Sequence, residues 1–154
     1  EVLEQCKEDD VIEYVKAIRE FAGDRAVLRA FHFFEENKRV DAEVEALEKK
    51  DFATFFNKIT ESGDSSWKWL QNCYCNETPD EQSITVALAL TKLYLDKIGR
   101  GVCRVHGGGF AGVIAAFLPK EETEGFTKYI DKALGEGSAY VMHIRPQGAV
   151  KVEF

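Results

Sequence analysis

Val102-Cys103-Arg104-Val105-His106, then Gly107-Gly108-Gly109-Phe110-Ala111-Gly112, then Val113-Ile114-Ala115-Ala116-Phe117-Leu118 before Pro119: two short apolar segments are joined by a run with four glycines in six positions. Each apolar segment is too short for a helix and reads as a strand. Glycine has no side chain to pack and loses more conformational freedom on folding than any other residue. A run of it belongs where a backbone turns through positive φ, or lies against another backbone or an anion. The loop is therefore the first candidate for function.

Gly107-x-Gly109-x-x-Gly112 matches the dinucleotide fingerprint in form. That fingerprint needs a helix opening directly after the glycines, because the helix amino terminus holds the pyrophosphate. Here six apolar residues and Pro119 follow, which leaves no room for one. A Walker A loop is excluded because no Gly-Lys-Ser/Thr follows. Two readings stay open. The loop is a tight strand-to-strand connection using glycine for geometry alone, or it lies against a phosphate or another loop.

Working outward, the residues before the loop have helical spacing. Val11, Tyr14, Val15 and Ile18 predict a helix over 9–21, ended by Gly23. Asp24 is placed to cap a long helix whose stripe runs through Val27, Phe31 and Phe34, then Val40, Val44 and Leu47. Asp51 is placed to cap the next, with Phe52, Phe55, Phe56 and Ile59 on one face and Gly63 positioned to break or kink it. Thr78-Pro79-Asp80-Glu81 has the form of a capping box with proline at the first helical position. The helix it opens is apolar on much of its surface, so deep burial is expected, and Gly99 and Gly101 stop it. After the loop, Phe126, Tyr129, Ile130, Ala133 and Leu134 predict a helix over 121–134. Ala139–Arg145 and Ala149–Glu153 read as strands around a Pro146-Gln147-Gly148 turn. Four helices precede a β-β-α-β-β third, so the expected class is α+β, several helices packed on an antiparallel sheet in a single domain over 1–154.

The chain has 154 residues, 45% apolar, with a net charge of −7. Residues 101–154 hold as many basic as acidic side chains, so the whole excess lies in 1–100. That argues against a nucleic-acid surface. No apolar run approaches membrane-spanning length and no secretion signal is visible. Cys6, Cys73, Cys75 and Cys103 form no C-x-x-C pair and read as free thiols in a cytoplasmic protein.

Arg104-Val-His-Gly-Gly-Gly-Phe-Ala-Gly112 resembles the third motif of the GHMP small-molecule kinases, which has a basic residue, a spacer, Thr, three glycines, Phe and Gly-Gly. Within that superfamily the likeness is to the galactokinases. Arg29-Ala-x-His32 with Glu35-Glu36-Asn37-x-Arg39-Val40 looks like their helical segment, and Glu61-Ser62-Gly63-Asp64-Ser65 stands where they commonly carry Glu/Ala-Ser-His-x-Ser. The resemblance runs from about residue 24 to the end. His106 replaces the usual Thr, Ala111 a Gly, and Gly63 a His.

The resemblance implies a GHMP-kinase carboxyl-terminal-like, ferredoxin-like domain from a galactokinase. The catalytic amino-terminal domain, with its sugar pocket and phosphate loop, is absent from this chain and would be its partner. The lack of a starting Met agrees with that expectation. The full-length parent would use ATP and Mg2+ to phosphorylate galactose at the anomeric hydroxyl. This chain would supply no catalytic residue and no metal ligand. Gly107, Gly108, Gly109 and Phe110 would form the nucleotide-side wall, and the fragment alone would be inactive. Two alternatives of other classes stay open: a sugar-binding regulatory protein built on the same domains, or a free-standing interaction domain with a glycine-rich turn. Another GHMP kinase would fit the same motif.

Among other candidates, His32 reads as a packed or solvated helix residue, His106 as a strand end beside the loop or a donor to an anion there, and His143 as structural within a strand. Glu43, Glu45 and Glu48 read as a solvated helix face. Ser62, Ser65 and Ser66 lack a base pattern for a nucleophile.

Overall fold

The computed structural model describes residues 5–109, 112–148 and 150–151. The chain divides into two compact units, Glu1–Leu118 and Pro119–Phe154. Among the described residues the class is α+β, as expected, with six α-helices and one two-stranded antiparallel sheet.

The first unit opens with α1 (Glu8–Glu13) and α2 (Val15–Ala22), where one helix was expected. Tyr14, at φ −99° and ψ 15°, leaves the helical region and separates them. The long helix α3 (Asp24–Glu48) follows. Its cap position is Gly23 rather than Asp24, and the Asp24 carboxylate instead accepts a 2.6 Å bond from Arg19 Nε. Val27 is buried, but Val40, Val44 and Leu47 are exposed, so the second half of the expected stripe does not reach the core. Helix α4 (Phe52–Ser65) begins as anticipated, with the Asp51 carboxylate accepting from the Thr54 amide at 3.0 Å.

Gly63 does not break α4. The helix runs through it to Ser65 and passes into a π-helical turn, Ser66–Leu70, ending at a left-handed Gln71. The missing side chain serves packing instead: a Cβ on Gly63 would lie 3.0 Å from Arg104 Cβ.

Helix α5 spans Ser83–Ile98. It does not start at Thr78. Thr78–Glu81 closes only a turn, with the Glu81 amide on the Thr78 carbonyl at 3.0 Å. The Gln82 side chain is drawn into binding the Cys75 amide and carbonyl and the Thr78 and Pro79 carbonyls, and helix begins one residue later. Such local polar bonds compete with helix formation. Ile84, Thr91 and Leu95 are buried while Val86 and Leu93 are exposed, so burial is one-sided rather than all round.

Strands β1 (Val102–Val105) and β2 (Ile114–Phe117) pair antiparallel, Val102 opposite Phe117 and Val105 opposite Ile114. The His106 amide adds one more bond, to the Val113 carbonyl at 3.0 Å. Both α4 and α5 pack on β1. Beneath it Cys73, Ile84 and Val105 form a buried cluster joined by Tyr74, Leu88 and Ile114. The glycine loop is thus carried at the end of a short ladder fixed by two helices.

The second unit holds a 3-10 turn, Lys120–Glu122, and α6 (Thr123–Leu134), ended by Gly135. Asp131 Oδ1 accepts from the Ala139 amide at 3.1 Å. The strand expected over Ala139–Arg145 does not form: those residues pair with no strand, and Tyr140, Val141, Met142 and Ile144 are exposed. Its sequence has the alternation and β-branching of a strand, but a ladder also needs a neighbour to bond to. His143 is accordingly exposed rather than built into a strand. The strand expected over Ala149–Glu153 falls mostly outside the described residues, and Val150–Lys151 are not in a strand. Among the described residues no helix is long and apolar enough to cross a membrane. All four cysteines are free.

Candidate functional site

The glycine loop turns on positive φ at Gly107 (65°), Gly109 (77°) and Gly112 (83°). Gly109 is buried, and a Cβ there would overlap the Asn72 carbonyl oxygen and lie 2.9 Å from Asn72 Cβ. Another backbone does come close at this glycine, and it belongs to the same chain. Asn72 is itself buried, and its Nδ2 has no hydrogen-bond partner among the described residues. Gly107 and Gly108 are exposed, with nothing within 4 Å of where a Cβ would stand. Gly108 does not have a positive φ either. Phe110 lies outside the described residues.

Behind the loop, stretches far apart in sequence meet. Arg104 of β1 directs Nη1 to Ser62 Oγ at 2.5 Å and to Glu36 Oε1 at 3.2 Å, and its Nε to the Val105 carbonyl at 3.0 Å. Ser62 Oγ also bonds Glu36 Oε1, and Arg39 Nη1 holds the other carboxylate oxygen at 2.6 Å. One turn of helix away from each, His32 Nδ1 and Ser65 Oγ are 2.9 Å apart. Sequence reading named His32, Glu36, Ser62 and Ser65 separately. What it missed was that Glu36 bonds Ser62 and Arg104 and that His32 meets Ser65, and no spacing signal along the chain marks such contacts.

Charge within the network follows from these contacts. Burial works against ionising Glu36, but the bonds from Ser62 and Arg39 and the nearby charges of Arg104 and Arg39 outweigh it. The carboxyl is held below its usual range. Burial pushes the His32 imidazole down; Glu36 opposes this while Arg39 and Arg104 add to it. Burial, helped by the charge of Glu36, pushes Glu43 up. Glu43 therefore departs from the solvated face expected of it, whereas Glu45 and Glu48 are exposed.

A cavity of about 360 Å³ opens beside the loop, lined by Phe55, Ile59, Ala115 and Phe117 with Glu43, Arg104, His106 and Gly107. His106 is exposed at its edge. A second cavity, of about 310 Å³, lies between α3 and α4 with the π turn. Its charged side chains are largely paired, Lys38 with Glu35, Arg39 with Glu36, Lys58 with Glu61 and Lys68 with Asp64. Ser62, Ser65 and Ser66 are all buried, which suits bracing rather than nucleophilic attack. Among the described residues no three His, Cys, Asp or Glu side chains gather as metal ligands.

No protein-family model and no solved structure matches the chain. The galactokinases of Haemophilus influenzae strains PittEE and PittGG are each 30% identical to it over 146 aligned residues. The alignment covers 82% of this chain and 34% of each relative, so the chain spans about a third of the length of the curated relatives it matches. Over most of its own length the chain resembles galactokinase.

Proposed function

We propose that this chain is the carboxyl-terminal domain of a galactokinase-like sugar kinase, with the ferredoxin-like fold of the second GHMP-kinase domain. The parent transfers the γ-phosphoryl group of ATP, with Mg2+, to the anomeric hydroxyl of galactose. Its amino-terminal domain is this chain's partner and brings the catalytic residues, the sugar pocket and the metal ligands. Positioning and charge stabilisation do most of the work in such transfers.

The observation that carries this reading is the convergence of the three motif-like stretches. His32 and Glu36 from the first meet Ser65 and Ser62 from the second, and Glu36 and Ser62 meet Arg104 from the third. In this reading Gly107, Gly108, Gly109 and Phe110 form the nucleotide-side wall. Gly109 is fixed against Asn72 inside the chain. Gly108 has no positive φ and, among the described residues, no neighbour to explain its missing side chain. Approach of a backbone from outside this chain would explain it. The apolar floor of the adjoining cavity supports the same contact.

The test is ATP-dependent phosphorylation of galactose by residues 1–154 alone and by the full-length parent. Turnover in the parent only is expected. Turnover by 1–154 alone overturns the division of roles. A parent that binds galactose and ATP without turnover is a regulator instead, and one that binds neither overturns the reading.

A further inference from the structure

We propose that Arg104 is a positioning residue that sets the glycine loop from inside the protein, and that Glu36 and Ser62 are its fixed anchors. Three observations carry this. Arg104 stands three residues before the first loop glycine, on the strand whose ladder closes with the His106–Val113 bond. Its Nη1 bonds Ser62 and Glu36, and its Nε bonds the Val105 carbonyl of its own strand. Gly63, one residue after Ser62, lacks the Cβ that would otherwise hold β1 away from α4 at Arg104.

The planar guanidinium makes these bonds in a fixed fork, which an ammonium cannot copy. Arg39, held on the far oxygen of Glu36, keeps that carboxylate charged and aimed. Asn72, against Gly109, supports the loop partway along it. The basic residue of the motif-like stretch thereby braces the loop from the protein side. The inference concerns the loop's position alone, so it stands or falls without sugar or nucleotide and apart from any kinase activity.

The experiment is amide hydrogen exchange and backbone NMR on residues 1–154. The readouts are the His106 amide and the shifts of Gly107–Gly109, with the Gly99 amide, bonded to Leu95, as internal control. R104M is expected to speed His106 exchange roughly tenfold or more and to move the loop glycine signals, leaving Gly99 unchanged. R104K is expected to recover only part of the protection. E36Q combined with R104M is expected to add little beyond R104M alone, as members of one network do. Unchanged His106 exchange in R104M, or full additivity of the two substitutions, overturns the proposal. Should R104M not fold, S62A removes a single hydroxyl from the same network. A faster His106 amide in S62A supports the brace, and an unchanged one overturns it.

Discussion

At the residue scale, Gly108 and Gly109 are adjacent and alike in sequence but stand in opposite surroundings. Gly109 combines φ of 77° with the Asn72 backbone where a Cβ would be. G109A is therefore expected to destabilise residues 1–154 by roughly 2 kcal/mol or more, from left-handed strain and overlap together. G108A meets neither obstacle and is expected within about 0.5 kcal/mol of the parent sequence. Urea denaturation midpoints check both, and equal losses at the two positions would contradict the assignment. His32 gives a pH prediction. Its imidazole titrates lower folded than unfolded, so the unfolded chain takes up the proton first as pH falls. Stability is then full above the usual histidine value of about 6.5 and falls as pH drops below it towards the folded value. Glu36, held low, adds a further loss at more acid pH, where its carboxylate must be protonated. Glu43, held high, acts with the opposite sign over the acid range, which makes the histidine window the cleaner one. H32Q should flatten the stability curve between pH 7 and 5.5, and an unchanged slope would remove His32 as the cause.

At the element scale, helix ends were legible where a single side chain or glycine decides them. Asp51 caps α4 as its position suggests, and Gly99, left-handed at φ 72°, ends α5. D51A is expected to lower the melting temperature of residues 1–154 by loss of that cap. G99A is expected to cost about 1 kcal/mol because alanine resists the left-handed region. Gly63 is the contrary case. Alanine in an exposed helix interior would stabilise by about 1 kcal/mol. Here the added methyl meets Arg104 Cβ at 3.0 Å on a strand tied down by its own hydrogen bonds, so G63A is expected to destabilise. A raised melting temperature in G63A would show that β1 yields. The start of α5 was misread because a capping box sees four residues, whereas Gln82 answers to Cys75, seven residues back.

At the scale of the whole molecule, the proposed role needs a surface that fits another domain. Val40, Val44 and Leu47, spaced for one face of α3, are exposed, as is Phe52 at the start of α4. On the proposed reading G108A separates folding from assembly. It should leave residues 1–154 as stable as before yet weaken their association with the missing amino-terminal domain, measured by titration calorimetry. Undiminished association would remove Gly108 from the contact. The likeness to galactokinase, over most of this chain and about a third of the relatives' length, supports the proposed reading.

The sequence by itself determined the α+β class, the existence of two helices beginning near 24 and 52, the β1–β2 pair and the place of the glycine loop between them. These follow from periodicity, caps and turns, which act within a few residues of one another. Only the tertiary structure decided that Gly109 rests on Asn72 and that one carboxylate, Glu36, ties Ser62 and Arg104 together. Only it decided that Ala139–Arg145, though strand-like, makes no ladder. Each of these depends on partners dozens of residues apart or on a neighbouring strand. Chain proximity carries no record of which groups burial will bring together.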